Sequence, residues 1–151
     1  MDSAKQLPRT AKEPIPMISV LSEDPLPRLM IADDDPAIQS LLDMSLSQEF
    51  DVVGLAADGK EAVELAKSSQ PDAALIDVEM LDGGGLRAVR AIHEVAPDTA
   101  IVVLSVDESD GVVRELLQAG AVAYLRKGVE PQVLAYALMD SIDAHAAERR
   151  E

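Results

Sequence analysis

The chain has 151 residues, 48% of them apolar, with 28 acidic residues against 13 Lys and Arg and a formal charge of −15. That charge opposes binding to nucleic acid or to an anionic membrane surface, and the lack of cysteine excludes disulfides and thiolate metal sites. No apolar run approaches the roughly 18 residues of a membrane span, and the N-terminus lacks a charged-then-apolar signal pattern, so the cytoplasm is the expected location.

Residues 1–27 hold Pro8, Pro14, Pro16, Pro25 and Pro27 without a sustained period, the composition of a disordered arm. From Arg28 onward the pattern alternates. Leu29 to Ala32 reads as a short strand running into Asp33-Asp34-Asp35. Asp35 suits a helix cap and Pro36 a first helical residue, opening a helix to about Gln48. Asp51 to Ala57 reads as a second strand, and Asp58-Gly59 as the turn into a helix from Lys60 to Ser69, which Pro71 breaks. Ala73 to Ile76 is a third strand ending at Asp77. Gly83-Gly84-Gly85 beyond it is expected to form a loose turn before a helix from Leu86 to Ala96, stopped by Pro97.

Ala100 to Leu104 is a fourth strand ending at Ser105. A helix from about Glu108 to Ala119 closes on Gly120, a favourable helix end. Val122 to Leu125 is the fifth strand, ending near Arg126-Lys127. Glu130-Pro131 opens a last helix to about Ala146, leaving residues 147–151 as a charged end or the start of a linker. The only aromatics are Phe50, Tyr124 and Tyr136, so Val, Leu, Ile and Ala must fill the core. Five strands alternating with five helices imply an α/β domain over residues 28–146, a doubly wound five-stranded parallel sheet. Right-handed crossovers place all strand carboxyl ends on one edge, where ligands of such sheets sit.

That edge collects Asp33 and Asp34, Asp77, Ser105 and Lys127. Each has an ordinary reading: turn or cap carboxylates, a loop hydroxyl, a solvated ammonium. Together they make a chemical set. Converging carboxylates repel one another, and a hard divalent cation with oxygen ligands, Mg²⁺, relieves this. One carboxylate can then act as a nucleophile toward a phosphoryl group, whose transfer needs mainly positioning and charge neutralisation. Lys127 would supply the ammonium and Ser105 the hydroxyl. His93 and His145, on helices without partners at ligand spacing, are expected to be incidental.

These residues, Asp33-Asp34 in IADDDP, Asp77 in LIDVEM, Ser105 in IVVLS and Tyr124 with Lys127 in AYLRKG, give residues 28–146 a resemblance to the receiver domains of bacterial two-component response regulators. The resemblance implies a CheY-like, flavodoxin-like (βα)₅ fold with strand order 2-1-3-4-5. It also implies Asp77 as phosphoacceptor, fed by a sensor histidine kinase or phosphotransfer protein. Asp34 and Asp77 would hold Mg²⁺ directly, Asp33 through water, and the backbone carbonyl of Glu79 would be a further ligand. Lys127 would hold a phosphoryl oxygen, and Ser105 and Tyr124 would be the switch residues. The side chains of Glu79 and Asp107 would tune the lifetime of the phosphoryl group. Leu81 and Gly128 stand where many relatives have proline.

The implied role is a signalling switch that assists its own phosphorylation and dephosphorylation, not a turnover enzyme. It would act on a downstream effector, a missing output domain or a second copy in a homodimer. The alternative is a degenerate receiver that binds partners independently of phosphorylation. An aspartate-nucleophile hydrolase of the haloacid-dehalogenase type would need Asp-x-Asp after the first strand, whereas here the acidic pair comes first and Asp77 third. A flavodoxin-like cofactor binder would need a phosphate-cradling loop where this chain has three aspartates. No helix-turn-helix module follows residue 146, which argues against DNA binding through this chain.

Overall fold

The computed structural model describes residues 24–80, 84–107 and 109–150. The expected arm up to residue 23, Leu81–Gly83, the helix start at Glu108 and the final Glu151 lie outside the described residues. The elements alternate as β1 (Arg28–Ala32), α1 (Pro36–Leu46), β2 (Asp51–Ala56), α2 (Gly59–Ser69), β3 (Ala73–Asp77) and α3 (Gly84–Val95). They continue as β4 (Ala100–Ser105), α4 (Asp110–Ala119), β5 (Ala121–Arg126) and α5 (Pro131–Arg149). All neighbouring strands are parallel, in the order β2-β1-β3-β4-β5. Every residue of β3 and β4 is buried, as expected for inner strands of a sheet covered on both faces.

Alternation along the strands divides the core into two layers. Met30, Ala32, Ala74, Ile76, Ile101 and Val103 face α2, α3 and α4 through Ala62, Ala66, Val89, Ile92 and Leu116. Leu29, Ile31, Leu75, Val102 and Leu104 face α1 and α5 through Leu46, Leu134 and Leu138, with Phe50 beside them. Each fully buried Leu or Ile stabilises the fold by about 1.5–3 kcal/mol relative to exposure. Small alanines on α2 and α3 let those helices sit close to the sheet.

Local chemistry sets the helix ends. Asp35 accepts a hydrogen bond from the Ala37 amide at 2.9 Å with Pro36 in the first turn. Asp58 accepts from the Glu61 amide at 2.8 Å, while Glu61 reaches back to the Ala57 amide at 2.8 Å, a reciprocal cap. Gly120 ends α4 at φ +125°, and a Cβ there would come within 2.6 Å of the His93 ring.

Among the helix limits that differ from expectation, three have a clear local cause. α1 stops at Leu46 rather than Gln48, with the Ser47 hydroxyl and amide both turned back onto the Asp43 carbonyl. Helix α3 begins at Gly84 instead of Leu86; Gly85 packs against the Val78 backbone, whereas Gly84, at φ +77° with nothing within 4 Å of the place a side chain would take, keeps the open turn conformation expected of glycine. The Gly85 amide donates to the Val78 carbonyl at 2.9 Å. Helix α5 continues to Arg149, three residues past Ala146, carried by the helix-favouring Ala144, Ala146 and Ala147. Arg149 there forms an ion pair with Asp98.

His145 lies away from the strand-end cluster and has a structural contact instead. It is buried on α5, and its Nε2 hydrogen bonds to the Pro97 carbonyl at 2.9 Å, pinning α5 to the α3–β4 loop.

Candidate functional site

Register brings the site together. Ala32 pairs with Ile76, so Asp33 leaves β1 beside Asp77 at the end of β3. Asp77 pairs with Leu104, and Ser105 pairs with Arg126, which places Ser105 next to Asp77 and Lys127 just beyond β5. Backbone bonds past the strands hold these ends. The Val78 amide donates to the Leu104 carbonyl at 2.9 Å, and the Lys127 amide to the Ser105 carbonyl at 3.1 Å. The Gln39 side chain donates to the Asp33 and Ala56 carbonyls at 2.7 and 2.9 Å, fixing the β1–α1 turn to β2.

Carboxylate oxygens of Asp33, Asp34 and Asp77 all lie within 4.8 Å of one another. Asp33 and Asp77 are buried, at 3% and 2% exposure, and Asp34 is half-buried. Burial pushes the Asp33 carboxyl above the usual aspartate range; the neighbouring Asp77 and Asp34 add to this, while the Asp35 amide at 2.9 Å and Lys127 oppose it. Asp33 therefore holds a proton more tightly in the fold than in the unfolded chain. Its contribution to stability is full below the ordinary aspartate range and is lost as pH rises through the raised folded value.

Lys127 is the cation of the cluster. Its Nζ lies 2.8 Å from Asp77 Oδ1 and 3.4 Å from Glu79 Oε1. Partial burial alone would depress this ammonium, but the pairing with Asp77, and more weakly with Glu79, outweighs it and holds its pKa above the usual lysine value. Ser105 is fully buried; its hydroxyl donates to Glu79 Oε2 at 2.6 Å and accepts from the Asp107 amide at 3.0 Å. The Tyr124 hydroxyl donates to the Asp107 carbonyl at 2.5 Å, so a short chain of bonds runs from the site to β5. Asp107 itself is held below the usual carboxylate range by the amide and hydroxyl of Ser109.

Asp33, Asp34, Asp77, Ser105 and Lys127 thus share one pocket, with Tyr124 linked to it through Asp107. The donor set suits a hard cation: only oxygen ligands, net negative, with a compensating ammonium on one side. The Glu79 side chain reaches further than its residue type indicates. It accepts from the Ser105 hydroxyl and, at 3.3 Å, from the Val106 amide. The signal was its position two residues after Asp77, but the contact requires knowing where β4 ends beside β3. A groove of about 800 Å³, lined by Arg28, Asp43, Phe50, Asp51 and Asp72 among others, lies at the opposite edge of the sheet and contains none of these residues.

The response regulator receiver domain model matches residues 29–139, which includes every residue of the pocket. The response regulator GacA of Pseudomonas aeruginosa is 43% identical over 77 residues, 51% of this chain and 36% of the relative. The nitrate/nitrite response regulator NarL of Escherichia coli is 37% identical over 95 residues, 63% of this chain and 44% of the relative. The chain spans less than half the length of these curated relatives.

Among solved structures, the signal receiver domain of a putative response regulator NarL from Mycobacterium tuberculosis aligns with a TM-score of 0.75 at 29% identity, covering 80% of this chain and 98% of that one. A CheY-like receiver domain protein from Methanospirillum hungatei aligns with a TM-score of 0.76 at 27% identity, covering 82% and 98%. The 2-1-3-4-5 sheet therefore has its counterpart in a known group, and the chain belongs to the response regulator receiver domain family of two-component signalling.

Proposed function

We propose that this receiver is a switch operated by Mg²⁺-dependent phosphorylation of Asp77. The observation that carries the reading is the buried Asp77 carboxylate set between the Lys127 ammonium at 2.8 Å and the carboxylates of Asp33 and Asp34. Asp34 and Asp77, the backbone carbonyl of Glu79 and, through water, Asp33 would hold the cation, which when bound neutralises charge on the transferred group. An Asp77 carboxylate oxygen forms a bond to phosphorus. The phosphorus–nitrogen bond of a phosphohistidine on a sensor kinase or phosphotransfer protein breaks, and the imidazole nitrogen keeps the electron pair and takes up a proton. Lys127 holds a phosphoryl oxygen, and the Ser105 hydroxyl turns to another.

Because Ser105 is linked to Asp107, and Asp107 to Tyr124, that turn reaches the face formed by α4, β5 and α5. The result is a two-state population shift biased by new hydrogen bonds and charge. A downstream effector or an output domain reads that face, in the cytoplasm where its kinase works. Among the described residues, no helix is long and apolar enough to cross a membrane.

Intact mass after incubation with acetyl phosphate tests the reading. A gain of one phosphoryl group with Mg²⁺ and none with EDTA is expected. No gain in the folded wild-type protein would refute the switch. Asp34→Ala should weaken Mg²⁺ binding by at least about tenfold, the loss that even an outer partner of a metal ligand causes. An unchanged metal titration would remove Asp34 from the site. Ser105→Ala should accept the phosphoryl group yet leave the Tyr124 resonances near their unphosphorylated positions. A full wild-type response in this variant would show that the switch bypasses Ser105.

A further inference from the structure

The Glu79 carboxylate sits among three donors of different chemistry. Ser105 Oγ donates to it at 2.6 Å, the Val106 amide lies 3.3 Å from both of its oxygens, and Lys127 Nζ is 3.4 Å away. A hydroxyl, a backbone amide and an ammonium converging on one point form an oxyanion pocket. We propose that Glu79 is a resident anion in this pocket, and that a phosphoryl group arriving on Asp77 must displace it. The inference rests on Asp77 being the acceptor and concerns the state before phosphorylation, not the lifetime afterwards.

Charge makes sharing of the pocket unfavourable. Before any cation binds, Asp33, Asp34, Asp77 and Glu79 set four carboxylates against one ammonium, and a cation on Asp34 and Asp77 leaves the hydroxyl, amide and ammonium around Glu79 as a single set of donors for two anions. Ser105 has one hydrogen to donate, and Glu79 holds it. Lys127 is divided between Asp77 and Glu79.

The geometry also provides an exit. The Glu79 side chain is about one-third exposed, and Val106 beside it is 67% exposed. The Glu79 amide is separately anchored, donating to Asp77 Oδ1 at 3.0 Å. The side chain can therefore swing to solvent by rotation while its backbone stays on the acceptor. In the unphosphorylated protein the same carboxylate keeps Ser105 tied, and through Ser105 it keeps Asp107 and Tyr124 in place.

Uptake from acetyl phosphate at saturating Mg²⁺ should be timed for wild type, Glu79→Ala and Glu79→Gln, beside the beryllofluoride affinity of each. Removing one charge-assisted acceptor should speed uptake by roughly three- to tenfold and tighten beryllofluoride binding by a similar factor in Glu79→Ala. Glutamine loses the charge but can still accept from Ser105 and Val106, so Glu79→Gln should fall between the other two. Equal rates in the Ala and Gln variants would mean that charge alone acts, and would overturn occupancy of the pocket.

Uptake in Glu79→Ala no faster than in wild type would overturn it as well. An independent arm needs no phosphodonor: the Val106 amide resonance should move in Glu79→Ala, and an unmoved resonance would mean the contact is absent. If none of the three proteins takes up a phosphoryl group while the Val106 resonance moves as expected, it is the assignment of Asp77 as acceptor that fails.

Discussion

Asp77→Asn is expected to abolish phosphoryl uptake while leaving the fold in place. The amide oxygen of asparagine carries no formal charge and is a poor nucleophile toward phosphorus, so the covalent step is lost and not merely slowed. The pocket is also changed electrostatically. Lys127 loses the charge of its 2.8 Å partner and keeps the carboxylate at 3.4 Å on Glu79, while Asp33 and Asp34 lose a neighbour of like charge. These changes oppose each other. With Lys127 one-third exposed, the net change in stability should stay within about 1 kcal/mol. Intact mass with acetyl phosphate and Mg²⁺, paired with urea denaturation, reads both quantities. A wild-type mass gain in the mutant would place the acceptor elsewhere, and peptide mapping would then decide whether Asp33 or Asp34 carries the group.

The site was legible from sequence because its residues stand at strand ends, and strand ends are marked where an apolar run stops. Ala73 to Ile76 and Ala100 to Leu104 are uninterrupted apolar runs because both faces of the inner strands are covered. Asp77 and Ser105 follow those runs directly. Helix starts were legible for a local reason as well: Asp35 and Asp58 cap their own amides two and three residues on. Three features were not legible, since each depends on a contact beyond the residue's immediate neighbours in the chain. His145 meets Pro97 over a separation of 48 residues. The Glu79 side chain meets Ser105 only because β3 and β4 end side by side. Gly84 and Gly85 read as a loose turn by propensity, whereas at Gly85 the cause is steric.

Gly85→Ala is expected to destabilise the fold and to disturb phosphorylation together. A Cβ at position 85 would lie 2.4 Å from the Val78 Cα, 2.8 Å from its carbonyl oxygen and 2.9 Å from its carbonyl carbon. These are backbone atoms, so no rotamer change relieves the overlap. Val78 cannot easily retreat, because its amide is bonded to Leu104 of β4 and its carbonyl accepts from the Gly85 amide, each at 2.9 Å. Either α3 lifts from the sheet or the turn after Asp77 shifts. Overpacking of this kind costs about 1–3 kcal/mol and a strained hydrogen bond about 1 more, against a gain of about 1 kcal/mol from replacing a helical glycine with alanine.

A net loss of about 1–3 kcal/mol is therefore expected for Gly85→Ala in urea denaturation. Gly111, in the first turn of α4 with nothing within 4 Å of the place a methyl group would take, is the matched control: Gly111→Ala should gain about 0.5–1 kcal/mol. Since Val78 lies between Asp77 and Glu79, Gly85→Ala should also slow uptake from acetyl phosphate, which Gly111→Ala should not. A Gly85→Ala protein as stable as wild type would mean that α3 does not rest on the Val78 backbone. A destabilised variant with wild-type uptake would mean that the Asp77 turn is held by its bonds to β4 alone.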